Sequence, residues 1–389
     1  MPSRRRVICG AGSLAAAGLA GCTAGDPADR AALGDDPDTE WPQPGGTERY
    51  DCYRNEAVAP RESPSERWTA ETSIPMARPV VADGRVLLFT YDKLEAYDLD
   101  SGEATWRVGG DDDEWDVRTS PIVVDGTAYV GVVFPDGVLA VDLADGERIW
   151  HAELPDSPTT APVVDRRRER LVIGTEAGLA GVTVDGDPNW NRETFSPVSA
   201  LSSWAGKVYA GTEGGELYAF YDPDDLKGMW RRQLDGSVVQ VALLNGGGVV
   251  VSTFGGVVDR RDDSATGAAR WSHDALGSRG FVAAGNTYAV GRGLTSIHTR
   301  TGERYWTLDL DLNLKAPPAG AGDTIYTGGD GFVAAYAMGG GVGLGDYRAR
   351  VERWRYEVDG GVFEGVSVAD GAVFATASTG DGATLYALE

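Results

Sequence analysis

Eight tryptophans recur at nearly constant intervals, and that spacing limits the fold more than any other feature of the chain. Trp68, Trp106, Trp150, Trp190, Trp230, Trp271, Trp306 and Trp354 stand 38, 44, 40, 40, 41, 35 and 48 residues apart. A period near 40 is the length of a four-stranded propeller blade. Between tryptophans the same segments return in the same order. "RPVVADGRVLLFTY" (78–91), "SPIVVDGTAYVGVVF" (120–134) and "GVSVADGAVFATAS" (365–378) each set Asp-Gly between two β-branched runs. That pair favours the positive φ angles of a tight hairpin. "AAGNTYAV" (283–290) and "GAGDTIYTG" (320–328) vary the same turn. A second glycine turn follows, as in "GTEGGELYAF" (211–220), then a polar strand that carries the tryptophan. The expected fold is all-β: an eight-bladed β-propeller of four-stranded antiparallel blades over residues 63–389.

The chain ends complete the count. "ATLYALE" (383–389) stops one strand short of a blade, while "SPSERWTAE" (63–71) supplies Trp68 with no such strand before it. The N-terminal strand is therefore expected to join the last blade and close the ring, burying both edges. The preceding segment would then leave at the disc's rim. Trp41, Trp115 and Trp204 fall outside the series and are expected as packing residues.

The N-terminus reads as an address. "MPSRRRVICGAGSLAAAGLAGC" has a basic start, an apolar stretch and small residues before a cleavage point. Ser3-Arg4-Arg5-Arg6-Val7-Ile8 is similar to a twin-arginine export signal, with Arg4 and Arg5 as its pair. Leu19-Ala20-Gly21-Cys22 resembles a lipobox, which makes Cys22 the lipidated first residue after removal of 1–21. The apolar stretch is shorter than the ~20 residues that span a bilayer. Residues 22–62, rich in Pro, Gly and Asp, are expected to be a flexible acidic tether. Cys9 and Cys22 belong to the signal and Cys52 is left alone, so no internal disulfide is expected.

Charge narrows the partners. Lys plus Arg total 35 against 59 Asp plus Glu, a net of −24, and only four of the 35 are lysines. Such a surface repels nucleic acid and anionic headgroups. An acidic, lysine-poor surface also suits multimolar salt, which screens self-repulsion; it reads as a halophilic adaptation.

The pattern A-x-D-x-x-[ST]-G-E-x-x-W is clearest at Ala96, Asp98, Ser101, Gly102, Glu103 and Trp106, and nearly intact from Ala140 to Trp150. It resembles the repeat of the pyrroloquinoline-quinone (PQQ)-like β-propeller family, and the lead-in from Trp41 to Trp68 is similar to that of haloarchaeal members. The resemblance implies the propeller fold and two kinds of relative. Some are quinoprotein dehydrogenases; others are scaffolds, among them a lipid-anchored assembly factor of the bacterial outer membrane.

The dehydrogenase reading implies a Cys-Cys disulfide against the quinone and a Ca²⁺ held by Glu, Asn and Asp beside a catalytic Asp. The cysteines at 9, 22 and 52 do not supply that pair. His151, His273 and His298 sit in repeat strands, outside any metal-protease or nucleophile-elbow pattern. Asp309, Asp311 and Asn313 alternate along one strand face, too widely spaced to share one ion. Asp111–Asp113 with Glu114 reads as a hydrated acidic loop. The insertion at 338–353 carries Arg348, Arg350 and Arg353, expected to pair with local acids. The expectation is a monomeric, exported propeller without enzymatic activity, cofactor or resident metal. It would be anchored to the outer face of the cell membrane through Cys22 and would scaffold other envelope proteins. A glycan- or small-molecule-binding propeller, or a PQQ-dependent dehydrogenase-like enzyme, are the alternatives.

Overall fold

Asp-Gly turns the chain where the sequence places it. Asp83, Asp125 and Asp370 take φ of 46–47°, and the glycines after them take 74–78°. Two successive positive φ angles are the turn whose twist matches paired strands. The computed structural model describes residues 39–389 apart from 55–57, 111–112, 222–225, 245–246, 263–265, 275–278, 284–285, 291–292, 309–313, 345–346, 350 and 381. The signal, Arg4, Arg5, Cys22, Asp111, Asp309, Asp311, Asn313 and Arg350 lie outside these residues.

Among the described residues there is no helix, and the strands form a series of mainly antiparallel sheets like those of a propeller. The first sheet holds Val80–Ala82, Arg85–Phe89, Lys93–Asp98 and Ala104–Gly109 in sequence order. The second runs Ile122–Val124, Thr127–Val133, Gly137–Asp142 and Arg148–Glu153, with the short strand Asp116–Val117 also paired to Thr127–Val133. The third to sixth sheets span 163–193, 198–233, 238–274 and 279–308, each with four strands in sequence order. An eight-stranded sheet takes in Ala319–Ala321, Thr324–Ala337, Glu352–Gly361, Val366–Ala369, Ala372–Ser378 and Ala383–Leu388 together with Tyr53–Arg54 and Glu66–Thr72, while Val342–Leu344 and Tyr347–Ala349 pair only with each other.

Val80, Leu87 and Leu94 of the first sheet share a buried cluster with Val123, Val130 and Leu139 of the second. The second sheet's other side, Val124, Tyr129 and Ala140, packs with Val164, Leu171 and Ala180 of the third. Each sheet is apolar on both sides because each has a neighbour on both sides.

Strand register explains the repeat motif. Trp106 stands opposite Ala96, Trp150 opposite Ala140, Trp190 opposite Gly181, Trp230 opposite Ala219 and Trp306 opposite Ser296. Trp354 faces Ala335 and Trp68 faces Ala387. A small residue opposite the indole leaves room for the ring, and Trp271, opposite Arg260, is the exception. Every one of these pairings has a register shift beside the tryptophan, a bulge that re-aims the side chain.

Residues 39–62 correct the tether expectation. Trp41 and Cys52 are buried, as are Val58 and Ala59. The backbone of this stretch bonds to one first strand after another. Trp41 exchanges hydrogen bonds with Val81; Pro42 O accepts from Val123 N, Glu48 O from Ser203 N and Arg49 O from Leu243 N. Tyr53–Arg54 then adds a parallel strand to Ala319–Ala321, and Thr39 O and Val58 O accept from Asp370 and Gly371. The segment thus runs across successive first strands, and the described chain before Glu66–Thr72 is packed rather than leaving at a rim. Its Pro and Gly residues make the turns of that path (Gly46 N bonds back to Gln43 O), and backbone pairing leaves no side-chain period to read.

Candidate binding face

The sheets have two ends with different chemistry. At one end lie the Asp-Gly turns and the turns before each tryptophan strand, joined by bonds such as Leu99 N to Gly84 O and Leu143 N to Gly126 O. In the clearest motif, Asp98 Oδ1 accepts from the amides of Asp100 (3.2 Å) and Ser101 (3.0 Å) and from Ser101 Oγ (3.0 Å). These bonds, those from Ser101 first, hold its carboxyl below the usual pKa range. His298 takes the same place in the sixth sheet, its Nδ1 accepting from Thr301 N at 3.2 Å.

The turn glycine meets the tryptophan of the sheet before. A Cβ on Gly102 would lie 2.5 Å from the Trp68 ring, and Gly146, Gly186, Gly267, Gly302 and Gly340 meet Trp106, Trp150, Trp230, Trp271 and Trp306 in the same way. The indole N–H donates to a carbonyl of that turn: Trp68 to Leu99 at 2.9 Å, Trp106 to Leu143 at 3.0 Å, Trp150 to Val184 at 3.1 Å and Trp271 to Thr299 at 2.7 Å. Trp354 donates to Pro60 O at 2.9 Å. Trp190 and Trp230 bury their indole nitrogens without a hydrogen-bond partner. Six of the eight repeat tryptophans thus pack on a turn glycine, and Trp354 is tied through its indole N–H to Pro60.

The remaining singled-out residues pack too. Trp41 lies between the guanidiniums of Arg54 (5.7 Å) and Arg78 (5.8 Å). Trp115 is buried against His151 and Arg148. Burial first, and the Arg148 cation after it, lower the His151 pKa. His273 bonds to Gly302 O. Arg353 pairs with Asp323 at 2.8 Å, as does Arg61 at 2.7 Å. Trp204 alone among the extra tryptophans is half-exposed, with Arg49 over its ring at 5.1 Å.

The opposite end carries the turns between second and third strands and the loops that enter each sheet. Four of its side chains are the most exposed large apolar groups among the described residues: Tyr91 and Phe254 (77%), Phe195 (76%) and Phe134 (74%). Ile74, Met76 and Phe363 add to them. The four aromatics come from four different loops, so no run of sequence marks the set. Carboxylates stand beside the rings, at Asp92, Asp136 and Glu364. Single exposed aromatics are ordinary; here seven apolar groups share one end of the sheets.

A funnel of about 310 Å³ opens among the first strands, with Met76 in its lining. Its walls include Arg78, Arg118, Thr119, Thr160, Gln240 and Glu364, and its floor is Gln43, Pro44 and Tyr50 from the crossing segment. Several wall hydroxyls are already used to lace first strands together. Thr159 Oγ1 donates to Val198 O at 2.7 Å and Ser199 Oγ to Val238 O at 2.6 Å. Cys52 lies under the floor, free and buried, and desolvation pushes its thiol up to about 11.

The family of the outer membrane protein assembly factor BamB matches residues 53–220 and 200–293. No curated protein sequence matches the chain. BamB from Moraxella catarrhalis is 16% identical, with TM-score 0.64 over 84% of this chain and 99% of that one. The quinohemoprotein alcohol dehydrogenase from Comamonas testosteroni is 13% identical, with TM-score 0.69 over 90% and 80%. A europium-containing methanol dehydrogenase is 12% identical, with TM-score 0.67 over 90% and 98%. At these identities the likeness is one of fold.

Two of these neighbours are alcohol-oxidising enzymes, which overturns the expectation that a chain of this architecture is not an enzyme. The funnel's donor set, however, does not fit a Ca²⁺-bound quinone. Among the described lining residues Glu364 is the sole carboxylate, set with two arginines, whereas Ca²⁺ takes six or more oxygens.

Proposed function

This chain belongs to the family of the outer membrane protein assembly factor BamB, and on that footing we propose that it is an exported propeller that binds other proteins of the cell envelope. The observation that carries the reading is the exposure of Tyr91, Phe134, Phe195 and Phe254 on one end of the sheets. The rest of the surface is strongly acidic, and aromatic side chains are the usual anchors of protein interfaces. The carboxylates beside the rings, with a net charge of −24, fit a partner surface that is apolar at its centre and basic around it. Cys22 as a lipid anchor and the Arg4-Arg5 export signal remain part of this reading.

The reading includes an eight-bladed ring. Within the eight-stranded sheet, the strands from 319 to 361 and those from 366 to 388 with Glu66–Thr72 divide into two blades, each ending in a tryptophan strand. Supporting this, Glu66–Thr72 pairs with Ala383–Leu388 in the register and with the bulge of the other tryptophan strands. Arg67 reaches Glu389 at 2.7 Å and Asp370 at 3.1 Å, and Ser65 and Glu389 exchange backbone bonds.

The test is quantitative capture of partners from solubilised membranes by the intact chain and by a variant with Tyr91, Phe134, Phe195 and Phe254 changed to Ser. Exposed positions leave the fold intact, so the melting temperature should hold while a defined set of partners is lost. An unchanged set would remove these side chains from the interface.

A further inference from the structure

Two arginines of the funnel lack what many described arginines of this chain have. Arg67, Arg168, Arg170, Arg261, Arg270 and Arg353 each hold a carboxylate within 3.5 Å. Arg78 and Arg118 make no ion pair with any described carboxylate, although acids outnumber bases by 59 to 35. Arg118 is exposed at the mouth. Arg78 is only 7% exposed. Its Nη1 reaches Pro318 O at 3.4 Å and Val366 O at 3.3 Å, both long bonds, and its guanidinium lies over Trp41. A buried guanidinium facing carbonyls and a ring, with no counter-charge, is costly unless an anion completes it.

The cavity beside it has the right form for such an anion. The crossing segment contributes Gln43, Pro44 and Tyr50 to its lining. At about 310 Å³ it lies at the small end of ligand pockets and excludes a polymer. Thr119, Ser120, Thr160 and Gln240 also line it, the Thr119 and Thr160 hydroxyls already accepting from Gly131 N and Gly174 N. We infer that the funnel is a binding site for a small organic carboxylate, held by the guanidiniums of Arg78 and Arg118. Arginine's planar fork matches a carboxylate with paired, charge-assisted bonds. This site does not depend on the exposed aromatics serving as a protein interface.

Citrate is the probe. Titrated into the full chain at low ionic strength and followed by calorimetry, it should bind saturably with one site per chain. Arg118→Ala should weaken it by roughly tenfold or more, the loss of a charge-assisted pair. Arg78→Met should weaken it further, but its side chain also meets backbone carbonyls and the change risks the fold. Arg118→Ala, at an exposed position and with its melting temperature checked, therefore decides the question. Arg148→Ala, outside the funnel, should bind as the parent does. Absence of saturable heat up to about 10 mM citrate, or parent-like binding by Arg118→Ala, overturns the assignment.

Discussion

Gly102 and Gly84 both sit at positive φ, +71° and +74°, yet their surroundings differ completely. A Cβ on Gly84 meets nothing within 4 Å, whereas one on Gly102 would strike the Trp68 ring at 2.5 Å. Gly84→Ala should therefore cost only the left-handed backbone strain, ~1–2 kcal/mol. Gly102→Ala should add about 1–3 kcal/mol of displaced packing. Thermal melts of the two variants measure the difference, and equal losses would contradict the indole–glycine contact.

Cys52 offers a second residue-scale check. Burial raises its thiol from near 9 to about 11. The unfolded thiol then ionises first, so its contribution to stability is intact below pH 9 and is lost as pH rises from about 9 to about 11. At pH 8 the peptide carrying Cys52 should stay unmodified by iodoacetamide in the folded chain, as mass spectrometry would show. Rapid modification would place the thiol in solvent. The motif's spacing was legible in the sequence, but the job of its Ala and Gly was not. Those residues answer to tryptophans across a strand pair or in the next sheet, and one repeat read alone contains no sign of either.

Among the elements, the strands were the legible part and the crossing segment was not. Asp-Gly turns and β-branched runs announce hairpins through local chemistry, and the tryptophan period announces their repetition. Residues 39–62 are held by backbone amides and by buried groups spaced without a period, so composition alone makes them a linker. Deleting 39–62 should lower the melting temperature and expose Cys52's former neighbours, while the strand Glu66–Thr72 keeps its pairing with Ala383–Leu388. Deleting 63–70 should cost more, because it removes four of the six paired positions and the Trp68 contact with Leu99 and Gly102. A 63–70 deletion that melted at the parent temperature would refute the proposed closure. The ion pairs of Arg67 add little to this, ~1 kcal/mol or less each at a solvent-accessible site.

At the scale of the whole molecule, the two ends divide the work. One end is occupied by turns, indole contacts and the crossing segment; the other presents apolar side chains and an arginine-bearing funnel. The sequence disclosed neither, because Tyr91, Phe134, Phe195 and Phe254 come from four separate loops that only the repeated strand order of successive sheets sets on one end. Charge was readable at once, and it carries a prediction: partner capture should weaken as salt rises if basic groups surround the partner's contact, since screening acts on exposed pairs. Salt-independent capture would assign binding to the apolar side chains alone. The most direct measurement is site-specific photo-crosslinking in native membranes, with the reactive group placed in turn at Phe134, Phe195 and Phe254 and, on the other end, at Asp125 and Asp145. The proposed interface predicts one common partner from the three aromatic positions and none from the two turn positions; crosslinks from the turns with silent aromatic positions would contradict it.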